Sequence, residues 1–231
     1  MPDSNIGSKS SSTLKTLTTP RAAAAAGVLF ALLFGASLIL IRSSLPEGAE
    51  PGSQWLDAAS GKMKIAAMLM PFAGISFLWF IAVVRDNLGR LEDRFFSTVF
   101  LGSGLLFLAM MFVTSAIGAG LAASNGAVGH AEPGHAEVAL FGQMTVLALS
   151  KTYALRMGAV FMMSLATIWL RTGLMPRWLV YASYLLAVSL LIAGDISMWL
   201  TLGFPIWVLA VSLLLLARAG VFEGHREEFG S

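Results

Sequence analysis

The chain has no cysteine in its 231 residues. This excludes structural disulfides, thiolate zinc sites, iron–sulfur clusters and thioether-linked haem. Charge is nearly as scarce: Asp, Glu, Lys and Arg make up 12% of the chain, against about a quarter in a soluble domain. So few charges cannot cover a water-facing surface. The net charge of +2 is too small to point to a nucleic-acid partner. Catalytic signatures are missing too. No phosphate loop, dinucleotide fingerprint, nucleophile elbow or zinc-binding His-Glu-x-x-His helix occurs. Proteolysis by paired intramembrane aspartates would need two, and only Asp195 falls within an apolar run. No catalytic residue and no bound organic cofactor is expected, and an enzyme is the less favoured reading.

Hydrophobic residues are abundant, at 57%, and they come in long runs. A spanning helix needs about 20 mostly apolar residues. Six segments approach or exceed that: 22–41, 65–84, 95–122, 151–170, 178–199 and the shorter 204–217. The runs are continuous, whereas barrel strands alternate over about ten residues. The expected fold is therefore all-α, a polytopic bundle of six transmembrane helices. Residues 1–20, rich in Ser and Thr, read as a disordered tail. Residues 21–218 form the membrane domain and 219–231 a second tail. Pro71 should kink the second span, and Pro205 suits the start of the sixth.

Loop charge sets the orientation. Lys9, Lys15, Arg21, Arg85, Arg90, Arg94, Arg171, Arg177, Arg218 and Arg226 fall on one side of the alternating spans. The other side has only Arg42, Lys62 and Lys64. Both termini are thus expected in the cytoplasm, with 42–64, 124–150 and 200–203 as outer loops. Segment 138–149 is apolar but too short to span alone. It reads either as an interfacial helix or as the start of one long tilted helix.

Two groups of residues could carry chemistry. The first is an intramembrane charged cluster. Lys151 and Arg156 enter the fourth span from its outer end, and Asp195 lies in the outer part of the fifth. Measured from the inner loop, Arg156 lies about 22 Å deep, Asp195 about 27 Å and Lys151 about 30 Å. A lone charge in hydrocarbon costs about 3 kcal/mol, so Asp195 is expected to pair with Arg156 or Lys151. A structural ion pair is favoured over a functional one. The second group is an outer-loop repeat, Gly-His-Ala-Glu at 129–132 and again at 134–137. Its His130, Glu132, His135 and Glu137 are candidate ligands for a divalent metal. Pro133 and Gly134 break the helix that would align them, and a flexible hydrophilic loop is the favoured reading.

Ala23, Gly27, Ala31 and Gly35 recur at four-residue spacing on the first span. Such a face admits a close helix partner, within the bundle by default or across a homodimer. The lipid bilayer is the one partner the composition demands.

A charged span start, Lys151-Thr-Tyr-Ala-Leu-Arg156, and an inner loop, Arg171-Thr-Gly-Leu-Met-Pro-Arg-Trp-Leu179, accompany this topology. In these features the chain resembles a broad set of uncharacterised bacterial six-span integral membrane proteins. The resemblance implies a bacterial plasma (inner) membrane and brings no activity or cofactor. The expected function is a non-enzymatic accessory, assembly or sensor component. The alternatives are a small solute or ion transporter with an outward-facing charged cavity, and a metal-binding protein or enzyme using the His/Glu loop.

Overall fold

A computed structural model describes residues 19–45, 55–88, 94–127, 134–193 and 198–228. All the regular structure among them is helical. In order the helices are α1 (Thr19–Arg42), α2 (Trp55–Leu88), α3 (Arg94–Ala127), α4 (His135–Leu147), α5 (Leu155–Thr172), α6 (Arg177–Ala193) and α7 (Gly203–Glu228). A π-helical segment, Ala148–Ala154, joins α4 to α5, and a 3-10 turn, Met198–Leu202, precedes α7. Five stretches are long and apolar enough to cross a membrane, and the apolar helix Arg177–Ile192 is shorter. In an environment without water a backbone must satisfy itself, which continuous helices do.

Helix ends follow local chemistry. Gly173, at φ 66, ends α5, and its N–H bonds the Trp169 carbonyl at 2.9 Å. A Cβ would resist that left-handed conformation. Pro176 follows, and α6 starts at Arg177. Pro205 falls in the first turn of α7, where its missing N–H breaks no helical bond. Pro71 sits well inside α2, which continues through it.

Around the bundle, α1 packs between α2 and α7, α2 against α3, α3 against α5, and α5 against α6. The centre is aromatic. Phe30 and Phe34 from α1, Phe77 from α2, Phe107 from α3, Phe161 from α5 and Phe204 from α7 are all buried. The ring of Phe77 lies 4.5 Å from Phe30, 5.2 Å from Phe161, 5.7 Å from Phe107 and 5.9 Å from Phe204. Trp207 Nε1, buried beside them, donates to Ser183 Oγ at 2.8 Å. Gly27 lets the helices approach: a Cβ there would overlap Ser212 of α7 and Phe80 of α2. This part of the small-residue face is thus used within the chain, while a Cβ at Gly35 would meet nothing. The outward surface is also apolar, with Phe72 58%, Trp79 67%, Leu185 72% and Ile192 73% exposed. Large side chains exposed on this scale suit lipid rather than water.

Helix replaces much of the expected outer loops. Chain 55–64 belongs to α2, 124–127 to α3 and 135–150 to α4 and the π segment. Leu56, Leu121 and Ala139 bury one another in a small separate core, with Ile117 against it. That mutual burial explains why polar and small residues there still hold helical form. At the other end of the chain, helix continues to Glu228, into the expected tail. Residues 1–18 of the expected N-terminal tail lie outside the described residues.

Candidate functional site

The backbone dihedrals at Ala148 and Ala154 are both right-handed helical. The chain therefore never leaves helical form between His135 and Thr172. Segment 138–149 is the start of one long helix rather than a separate interfacial one. The π turn in its middle widens the helix, a deformation that recurs at functional sites. Ser150 lies inside this turn and is buried.

Ser150 Oγ donates to the Val146 carbonyl at 2.7 Å. It also accepts a bond from Arg42 Nη2 at 3.0 Å. Arg42, the last residue of α1, is only 1% exposed. The carbonyl end of a helix carries partial negative charge and favours a cation, which accounts for a basic residue here in part. Its Nε and Nη1, however, are buried and have no hydrogen-bond partner among the described residues. Ser150 is the single hydrogen-bond partner of Arg42 among the described residues. A cavity of about 10 Å³ lies on the same seam, lined by Ile41, Met63, Thr114, Ser115, Gly118 and Val146. Two helical turns before Ser150, on the same face, Gln143 is buried as well and engaged by another group of the chain.

The Arg42–Ser150 contact also fixes a level along the bundle. From Ser150 to Arg171, near the far end of α5, the helix advances about 30 Å, the thickness of a hydrocarbon core. Lys62 Nζ reaches the Ser43 carbonyl at 3.3 Å, so α2 passes this level at Lys62. The first turns of α2, the last turns of α3 and all of α4 lie beyond it. They form a helical cap on one end of the bundle. Between α3 and α4 the cap holds an open groove of about 320 Å³. Ile117, Gly120, Leu121 and Ser124 line one side, and Val138, Phe141, Gly142 and Thr145 the other. Phe141 is 73% exposed.

The residues singled out from sequence fall around this region unevenly. Lys151 sits in the π segment and Arg156 in the first turn of α5, both half-buried and both engaged by other groups. Asp195, their expected partner, lies outside the described residues, as do His130 and Glu132. His135 opens α4 and Glu137 lies exposed in its first turn. Gly134, at φ 89, sits immediately before them, so the helix does start after the Pro133-Gly134 break.

Arg42 was legible only as a loop charge. An Arg at the end of an apolar run ordinarily reaches out to the interface, and nothing local marks one that turns inward. Ser150 carried no signal either, because the π turn has no sequence signature. Comparison with protein-family models, with curated proteins and with solved structures finds no match to this chain.

Proposed function

We propose that this chain is a non-enzymatic accessory or assembly component of a bacterial inner membrane, with six spans, both termini cytoplasmic and the helical cap on the outer face. The observation that carries this reading is the apolar groove on the cap, with Phe141 exposed beside it. Beyond the hydrocarbon level an exposed aromatic beside an apolar cleft has no lipid tails to meet, and such patches mark interaction sites. The cap would seat an apolar element of a neighbouring membrane protein.

Photo-crosslinking in intact cells tests this. A crosslinker at Phe141 is expected to give one discrete protein adduct, lost when Ser124→Trp fills the groove. The same probe at Trp79 on the lipid-facing surface should give only lipid adducts. Lipid adducts alone at Phe141 would sink the proposal. Single cysteines at Ser43 and Leu174 test orientation: an impermeant thiol reagent should label the first and spare the second.

A solute-transport reading draws on a different observation, the buried Arg42 touching the helix that carries Lys151 and Arg156. The interlocked phenylalanines at the bundle centre weigh against it, because they fill the axis a solute would follow.

A further inference from the structure

The continuous helix from His135 to Thr172 carries two buried stripes that do not line up. On the cap side the buried residues are Ala139, Gly142, Gln143, Val146 and Ser150. An α-helix repeats a face about every 3.6 residues, which carries this stripe on to Tyr153 and Met157. Tyr153 is instead 58% exposed, and Met157 is only half-buried. The buried places fall at Ala154, Leu155, Gly158 and Ala159, a position later. The π segment Ala148–Ala154 lies at the join. A π turn holds one extra residue, because its bonds run from i to i+5, and so it absorbs the mismatch.

Closing that turn to plain α, with α5 held in place, would rotate α4 by about 100° and move it by about 1.5 Å. Each residue of α4 would take the place its predecessor holds now. Leu140, Met144 and Leu147 would replace Ala139, Gln143 and Val146, all in apolar surroundings. Gln143 would replace Gly142 against the tip of the Leu121 side chain, which can give way. Lys151 would replace Ser150 against Arg42, and this exchange is the costly one. Arg42 Nη2 meets a neutral hydroxyl, and Nε and Nη1 bond nothing among the described residues. A second cation there would meet an unneutralised charge in surroundings of low dielectric.

We propose that the positive charge of Arg42 sets the register of α4. The π turn carries the one extra residue that offers Ser150 to Arg42 and keeps Lys151 away from it. The register in turn fixes the face that α4 turns to the groove, now Val138, Phe141, Gly142 and Thr145. In the shifted register Phe141 would leave that edge. The charge at the end of α1 thus governs the shape of the proposed docking surface. The register belongs to the chain alone, so it stands or falls apart from any partner of the cap.

The test uses the full chain in native membranes, where the absence of cysteine leaves each introduced pair alone. Leu121→Cys with Gly142→Cys reads the present register, because a Cβ on Gly142 would lie 2.9 Å from Leu121 Cγ, within disulfide reach. Leu121→Cys with Gln143→Cys reads the shifted one. Under mild oxidation the first pair should close many-fold faster than the second. Arg42→Met should speed the second pair several-fold at the expense of the first. Arg42→Lys keeps the charge and should leave the first pair dominant. An unchanged ratio in Arg42→Met would overturn the proposal and leave the fit of Gly142 against Leu121 as what sets the register. Should Arg42→Met not reach the membrane, Lys151→Met removes the other charge and should give the same shift, and no shift there overturns the proposal as well. Deleting Thr152 takes out the extra residue, so the first pair should stay dominant even with Arg42→Met in place. A change to the second pair on that deletion alone would overturn the role given to the π turn.

Discussion

The bundle has two interiors of opposite character. At its centre six phenylalanines from five helices close on one another without a polar atom among their side chains. About two to three turns further along α1, Arg42, Ser150, Thr114, Ser115 and Gln143 are buried together with a cavity and a π turn. The centre is held by contact. In lipid, apolar side chains gain nothing by leaving water when helices meet, so shape and dispersion decide. The polar seam is held by direction, because each donor there needs an acceptor in a specific place. The first arrangement tolerates no change of volume, and the second no change of partner.

The largest expected effect breaks the centre. Phe77 touches five other buried rings. Phe77→Ala should therefore leave a cavity that the surrounding helices cannot collapse to fill, at about 3 kcal/mol. Reversible unfolding in mixed micelles measures it. A loss below about 1 kcal/mol would mean that the rings do not interlock as described.

The two interiors also differ in how far they could be read from sequence. The spans were legible because continuous apolar runs admit only helices in lipid. The alternation of basic loops suggested how they are strung together. Gly173 and Pro176, and Pro205 at the start of α7, were legible as punctuation because their backbone chemistry is local. The cap was legible only in part. Segments 95–122 and 138–149 read as apolar helix, whereas Ser124 and the first turns of α2 look like loop, and they become helix where Leu56, Leu121 and Ala139 meet from three distant segments. The Arg42–Ser150 contact joins residues 108 positions apart, and neither sequence neighbourhood refers to the other. Lys151 and Arg156 lie on the helix that Arg42 meets through Ser150, and the buried cation comes from α1.

A middle-sized effect sharpens the polar side. Among the described residues, Ser150→Ala removes the one acceptor of Arg42 Nη2 and leaves a third guanidinium nitrogen unpaired. Hydrogen bonds to charged groups contribute about 2 kcal/mol, so the variant should lose about that much in the same unfolding assay. The volume change is small and the helix keeps its backbone bonds, so the loss would report direction rather than packing. A neutral result would place Ser150 among the many serines here that merely bond back one turn, as Ser164 does to the Val160 carbonyl at 2.8 Å.

The smallest expected effect is at a third kind of contact, away from both interiors. Tyr184 of α6 and Thr167 of α5 share a hydroxyl–hydroxyl bond of 2.6 Å. Thr167 Oγ1 also donates to the Met163 carbonyl at 2.8 Å, so its single proton is spent there. Tyr184 must then be the donor, and Thr167 keeps a partner when Tyr184 loses its hydroxyl. No buried group is orphaned by Tyr184→Phe, the ring still fills its place, and α5 and α6 remain joined by the short Gly173–Pro176 turn. Interhelical hydrogen bonds in membranes average about 0.6 kcal/mol, because helices apart in lipid find other partners. Tyr184→Phe should cost about that, measurably less than Ser150→Ala. Equal losses at the two sites would mean that the charge on Arg42 adds nothing, and that the polar seam is only another interhelical bond.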